Sequence, residues 1–218
     1  MKKILDFSIL NVTLLPILFI VCFILLSVKP VIGKQSQKDL KVIENVCQDS
    51  TEFFIDSINN IRQELIEETK TYILKTVPKA HSNIDIIVPH LVDHSLGNNI
   101  DLCFVLAQCK IETLFGTAGM GRSQSKKSMF GINKKYKTYE ECIIHYISNL
   151  KRNYLSKNRN IHHLMKNFIT HNGHRYAADP KYEPKLKKQY NEIKRKTNID
   201  NLEQEYRKLN SCTYLSYE

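Results

Sequence analysis

Apolar and polar positions divide the chain into three stretches of different pattern. Phe7 to Val28 is apolar with few breaks, chiefly Asn11 and Pro16. As a helix rising 1.5 Å per residue it is long enough to cross about 30 Å of hydrocarbon, and neighbouring groups can satisfy the backbone that Pro16 frees. Residues 36–76 are polar, with Leu40, Ile43, Val46, Phe54, Ile58, Ile61 and Leu65 at the three-and-four spacing of one helix face. From about residue 82 the apolar positions crowd into compact helical segments. The densest is "IDLCFVLAQCKI" (100–111), apolar on nearly every side. The expected organisation is therefore a membrane segment over 1–34, a helical stalk or packing helix over 35–80, a compact domain over 81–198, and a C-terminal helix and tail over 199–218.

Local signals place the helices of the domain. "SNID" (82–85) reads as a capping box opening a helix that ends near Gly97 and is bent by Pro89. Asp101 is placed to cap the next helix, which carries Glu112. "TYEE" (138–141) is a second capping box, for a helix through about Tyr154. "DP" (179–180) puts Asp at an N-cap and Pro at the first turn of a helix to about Lys196. Alternating strand patterns are nearly absent, so the fold class is mostly α.

Charge and cysteine content narrow the picture less. The 218 residues hold 32 Lys+Arg against 22 Asp+Glu, a net charge of +10. From Arg122 to Lys196 there are nineteen basic and five acidic residues, a surface suited to an anionic partner. Nucleic acid is not expected: Tyr136, Tyr139 and Tyr154 stand at helix-core spacing, and no binding motif accompanies them. The six cysteines form no C-x-x-C and no dense framework; Cys103 and Cys109 read as small core residues, and only a Cys47–Cys212 bridge is left open. For the N-terminal run an uncleaved signal anchor is favoured, with Lys2 and Lys3 in the cytoplasm and the domain outside the cytoplasmic membrane, in the periplasm or cell envelope. A cleaved signal peptide is the rival, although its apolar region of roughly 7–15 residues is usually shorter.

Glu112 is the residue that the surrounding pattern does not explain. Gln108 lies four positions before it, on the same helix face, and Leu102, Val105, Leu106, Cys109 and Ile111 cover the others. A carboxylate beside such a surface is partly desolvated, which raises its pKa and suits a general acid. The glycines from Gly116 to Gly121 end the helix and leave room for a substrate. A salt-bridged surface glutamate is the plainer alternative. Glu140 and Glu141 fit the first turn of a capped helix better than a catalytic pair. His90 and His94 share a helix face, and His171 and His174 flank a turn. A metal site needs three or more convergent ligands, and H-E-x-x-H is missing, so neither metal nor cofactor is expected. Tyr176, in the loop before "DP", either packs on the core or turns its hydroxyl into a cleft.

Four blocks in order, "AQCKIETLFGTAG" (107–119), "SMFGIN" (128–133), "YKTYEECIIHYISNL" (136–150) and "YAADPKYEPKL" (176–186), resemble the glucosaminidase family of bacterial cell-wall hydrolases, glycoside hydrolase family 73. The resemblance spans roughly residues 100–190. It implies a small lysozyme-like helical domain and hydrolysis of the β-1,4 bond after N-acetylglucosamine in peptidoglycan. Carried over by position, Glu112 is the general acid and Tyr176 the active-site tyrosine. Gln108, Phe115, Phe130, Gly131 and Tyr182 fall in the substrate-binding part of the pattern. Phe115 stands where the family usually has tryptophan, and Met129 where it has leucine. Only Lys134 and Lys135 join "FGIN" to "YKTYEE", where relatives insert a β-rich lobe with a suggested second carboxylate, so the β-lobe is expected to be reduced or absent. The partners implied are peptidoglycan glycan strands, plus the membrane through residues 7–28. Two alternatives accompany this reading: a catalytically weak peptidoglycan-binding or assembly protein of an envelope machine or phage particle, and a muramidase or lytic transglycosylase.

Overall fold

The computed structural model describes residues 34–78, 83–122, 127–155 and 159–214, with side chains from Phe53 onward except those of Met120, Arg122 and 212–214. The apolar run Phe7–Val28 and its anchor reading lie outside the described residues. Among the described residues no helix is long and apolar enough to cross a membrane. The side chains of Cys47 and Cys212 also lie outside the description.

Seven α-helices and one 3-10 turn, with no strand, make up the described residues: α1 (Lys34–Thr76), α2 (Ile84–Gly97), α3 (Leu102–Thr113), the 3-10 turn (Gly119–Arg122), α4 (Tyr139–Asn153), α5 (Ile161–Leu164), α6 (Tyr182–Lys196) and α7 (Ile199–Tyr214). The one β-type pairing among them is an isolated antiparallel bridge between Ile169 and Arg175. No β-lobe follows Phe130; residues 131–138 run as irregular chain straight into α4.

Residues 60–208 form one compact unit, which includes α1 from Asn60 to its end. Its centre is α3, where every residue from Leu102 to Cys109 is buried. An all-round apolar helix must be enclosed, and α2 and α6 pack against this one. Each of these neighbours offers a single apolar stripe. Ile84, Ile87, Val88, Leu91 and Val92 line α2, and Tyr182, Leu186, Tyr190 and Ile193 line α6. The stripe of α4, from Tyr139 and Cys142 through Tyr146 to Leu150, covers α2 in turn. Burying a large apolar side chain contributes roughly 1.5–3 kcal/mol, so truncating the fully buried Phe104 is expected to cost about 3–5 kcal/mol.

The helix ends show how far local signals reach. Asp101 Oδ1 accepts from the Phe104 amide at 2.9 Å, and Thr138 Oγ1 from the Glu141 amide at 3.0 Å, as their positions predict. Glu141 reaches back to the amide of Lys137, at 2.7 Å. Two starts differ. Asn83 is the N-cap of α2, with no side-chain cap bond, and its carbonyl takes the amides of Ile86 and Ile87. Helix α6 begins at Tyr182, so Asp179 and Pro180 precede it rather than open it. Asp179 there accepts from the Lys181 amide at 2.8 Å and pairs with Lys185 at 2.6 Å, forming a turn whose carbonyl receives the Tyr182 amide.

Candidate active site

Glu112 is the penultimate residue of α3, and an unusual turn makes it accessible. Leu114 and Phe115 both take left-handed backbone (φ 49° and 56°), followed by Gly116 at 83°. Non-glycine residues avoid this region, so the turn has to be held from outside. Thr113 holds it: its buried hydroxyl accepts from the Gly116 amide at 2.9 Å and donates to the Met129 carbonyl at 2.6 Å. Gly121 closes the same turn, with space for a hydrogen only, since a Cβ there would lie 2.7 Å from Gly116 Cα and from Thr113 Cβ. The helix therefore stops abruptly, and Glu112 stays half-buried at its rim.

The segment 128–132 forms one wall. Ser128 bonds to the Ile132 carbonyl at 2.8 Å. Phe130 lies flat on Tyr146 of α4, ring centroids 3.6 Å apart, and the Met129 amide reaches Cys142 Sγ. Gly131, at φ 67°, passes so near that a Cβ would sit 2.7 Å from Glu112 Oε2. Glycine is needed here on both counts.

Two tyrosines form the other side. Tyr182 donates its hydroxyl to Glu112 Oε1 at 2.6 Å, and that same phenol oxygen accepts from Gln108 Nε2 at 3.2 Å. Tyr176 also hydrogen-bonds Glu112. The Tyr176 ring stacks on Phe168 at 4.3 Å, and its amide bonds to the Phe168 carbonyl. Below it Glu183, buried on α6, takes both Arg175 and the Phe168 amide and so fixes the loop. The Tyr176 ring therefore packs on the core while its hydroxyl faces the glutamate.

The electrostatics follow from this cage. Burial raises the Glu112 pKa, and the hydrogen bonds from Tyr182 and Tyr176 offset part of that rise. Its place in the last turn of α3, near the negative end of the helix dipole, acts in the same direction as burial. Burial, and then the neighbouring phenol and glutamate, push both phenols far up, so both stay neutral beside Glu112. Among the described residues, the groups acting on Glu112 are these tyrosines, with no second carboxylate.

Of the predicted site residues, Glu112, Gln108, Gly131, Tyr176 and Tyr182 come together. Phe130 stands behind them, about 1% exposed. Phe115 does not join: it is fully buried, edge-on to Tyr72, because the left-handed turn swings it into the core. Thr113 and Tyr146 belong to the supporting structure and were not singled out by sequence, where a buried threonine and a helix-spaced tyrosine read as core. Glu140 and Glu141 stay in the first turn of α4. Two cavities, of about 730 and 480 Å³, open elsewhere, and Glu112 lines neither.

Comparison with known proteins identifies a family. A family model described as Glucosaminidase, mannosyl-glycoprotein endo-beta-N-acetylglucosaminidase, matches residues 88–195. No curated protein matches the chain. That span contains α3, the Gly131 wall and both tyrosines, and over it the chain belongs to the glucosaminidase family of glycoside hydrolases.

Proposed function

We propose that this protein hydrolyses peptidoglycan at the β-1,4 bond after N-acetylglucosamine, with Glu112 as the general acid, on the outer side of the cytoplasmic membrane. One observation carries the reading: a half-buried glutamate at a helix rim whose described partners are two neutral tyrosines, with Gly131 passing close to its second oxygen. Such a carboxyl keeps its proton closer to neutrality and delivers it to the departing glycosidic oxygen. Tyr182 orients Oε1, Gln108 orients Tyr182, and Tyr176 positions either the sugar or the attacking water. With no second carboxylate described beside Glu112, the substrate's own acetamido oxygen completes the displacement, a route known among glycoside hydrolases. The basic residues between 122 and 196 hold the negatively charged wall.

The absent β-lobe favours one second reading, a protein that binds glycan and turns it over poorly. Digestion of purified peptidoglycan, followed by mass spectrometry of the new ends, separates these possibilities. N-acetylglucosamine at the new reducing end, lost in Glu112→Gln, is the expected result. N-acetylmuramic or anhydro ends assign the neighbouring bond instead. Wall binding without new ends, equal in Glu112→Gln, contradicts the hydrolase reading.

A further inference from the structure

Helices α2 and α4 bring together three metal-ligating side chains away from Glu112. His90 and His94 project from one face of α2, four residues apart, with rings 6.2 Å between centroids and 27° from parallel. Glu140, in the first turn of α4, presents Oε1 to both. It lies 3.3 Å from His94 Nε2 and 3.6 Å from His90 Nδ1. The three ligand atoms all fall within 4.8 Å of one another. We propose that His90, His94 and Glu140 bind a divalent transition-metal ion of the zinc class, joining α2 to α4.

The spacing favours a metal over a hydrogen-bond pair. An N–H···O bond is best near 2.9–3.0 Å, so 3.3 Å is long and 3.6 Å is outside the range. Ligands about 2.0–2.1 Å from a tetrahedral zinc ion stand roughly 3.3–3.4 Å apart. The His94 distance to Oε1 already matches that edge and the His90 distance exceeds it by about 0.2 Å, so a small rotation of the histidines completes the set. Two imidazoles and one carboxylate form a donor set suited to zinc, with the fourth position left to water. The side chains are 32%, 25% and 43% exposed, so an ion from solution reaches them without unfolding. Neither helix contains the whole set, and 46 residues separate His94 from Glu140. The histidine pair alone lacks the third ligand that a site needs.

The test uses the full-length chain, stripped with a chelator and titrated with zinc sulfate by calorimetry. One equivalent is expected to bind. Saturation is expected to raise the unfolding temperature by about 5–10 °C at a hundredfold excess over Kd. His94→Gln and Glu140→Gln each weaken binding by more than about tenfold, since lost ligands matter at least as much as their outer partners. His162→Gln, on the short α5, leaves it unchanged. Cobalt substitution reads the unmutated chain directly, independently of how the variants fold, and a tetrahedral visible band is expected. Absence of binding, an octahedral cobalt spectrum, or an equivalent that survives both His94→Gln and Glu140→Gln overturns the proposal. None of these readouts depends on glycosidase activity.

Discussion

The central helix α3 has a carboxylate at each end, Glu203 buried and Glu112 half-buried, and the two differ in what surrounds them. At its start Glu203 accepts from the Leu102 amide at 2.9 Å and pairs with Arg207 at 2.5 Å, while only 6% of its side chain is exposed. Burial, with the charge of Asp101 added, pushes its pKa up to about 7 despite Arg207. At the far end, burial also raises Glu112, but its partners are neutral phenols and one oxygen faces a glycine. A raised pKa therefore does not single out the acid. Glu203 closes a helix end and is locked by an arginine that any ligand would have to displace. Glu112 is held in position by groups that leave its proton transferable.

The first way to break this comparison is Glu112→Gln, which keeps shape and removes the proton. Peptidoglycan turnover is expected to fall by about 10³-fold with the fold unchanged by circular dichroism. Gly131→Ala comes next, placing a methyl 2.7 Å from Oε2 on left-handed backbone. Displacing the carboxylate should cost about 10²-fold in kcat, and the backbone about 1–2 kcal/mol of stability by denaturant titration. Tyr182→Phe deletes the 2.6 Å bond. Turnover should drop about tenfold, the worth of one hydrogen bond to a charged group. That bond favours ionised Glu112, so losing it raises the glutamate pKa and moves the alkaline limb of the rate profile to higher pH.

Glu203→Gln has the smallest expected effect on catalysis and acts on stability instead. The folded carboxyl keeps its proton up to about pH 7 whereas the unfolded one releases it near 4.5. The stabilisation tied to that proton is complete below about pH 4.5 and is lost as the pH rises through about 7. Glutamine, which does not titrate, should remove a fall on the order of 1–3 kcal/mol across that window, read by unfolding at several pH values. Turnover should stay at the level of the unmutated protein. A large loss of turnover in Glu203→Gln with little in Glu112→Gln would reverse the assignment.

Much of the fold was legible in the sequence because it is local. The all-apolar helix around 100–111 and the Asp101 and Thr138 caps follow from neighbours within a turn or two, and the lack of strands after Phe130 followed from a link shorter than the family pattern has. The parts that were not legible depend on distant contacts. Leu114 and Phe115 carry no left-handed signature; their conformation depends on Thr113 meeting the Met129 carbonyl, and it buries Phe115 where a substrate contact was expected. Asp179 looked like a cap, but its ion pair with Lys185 stabilises a turn two residues earlier than the helix. Tyr182 was read as a substrate contact, and only the packing of α6 on α3 shows it donating to Glu112.

The pH titration of the Glu112 carboxyl carbon, followed by NMR in the folded protein with Glu112→Gln to assign the signal, tests the central claim most directly. The account predicts a midpoint above the ordinary glutamate value of 4.5, coinciding with the alkaline limb of peptidoglycan turnover. A midpoint at or below that value, or one unrelated to the rate profile, would contradict it.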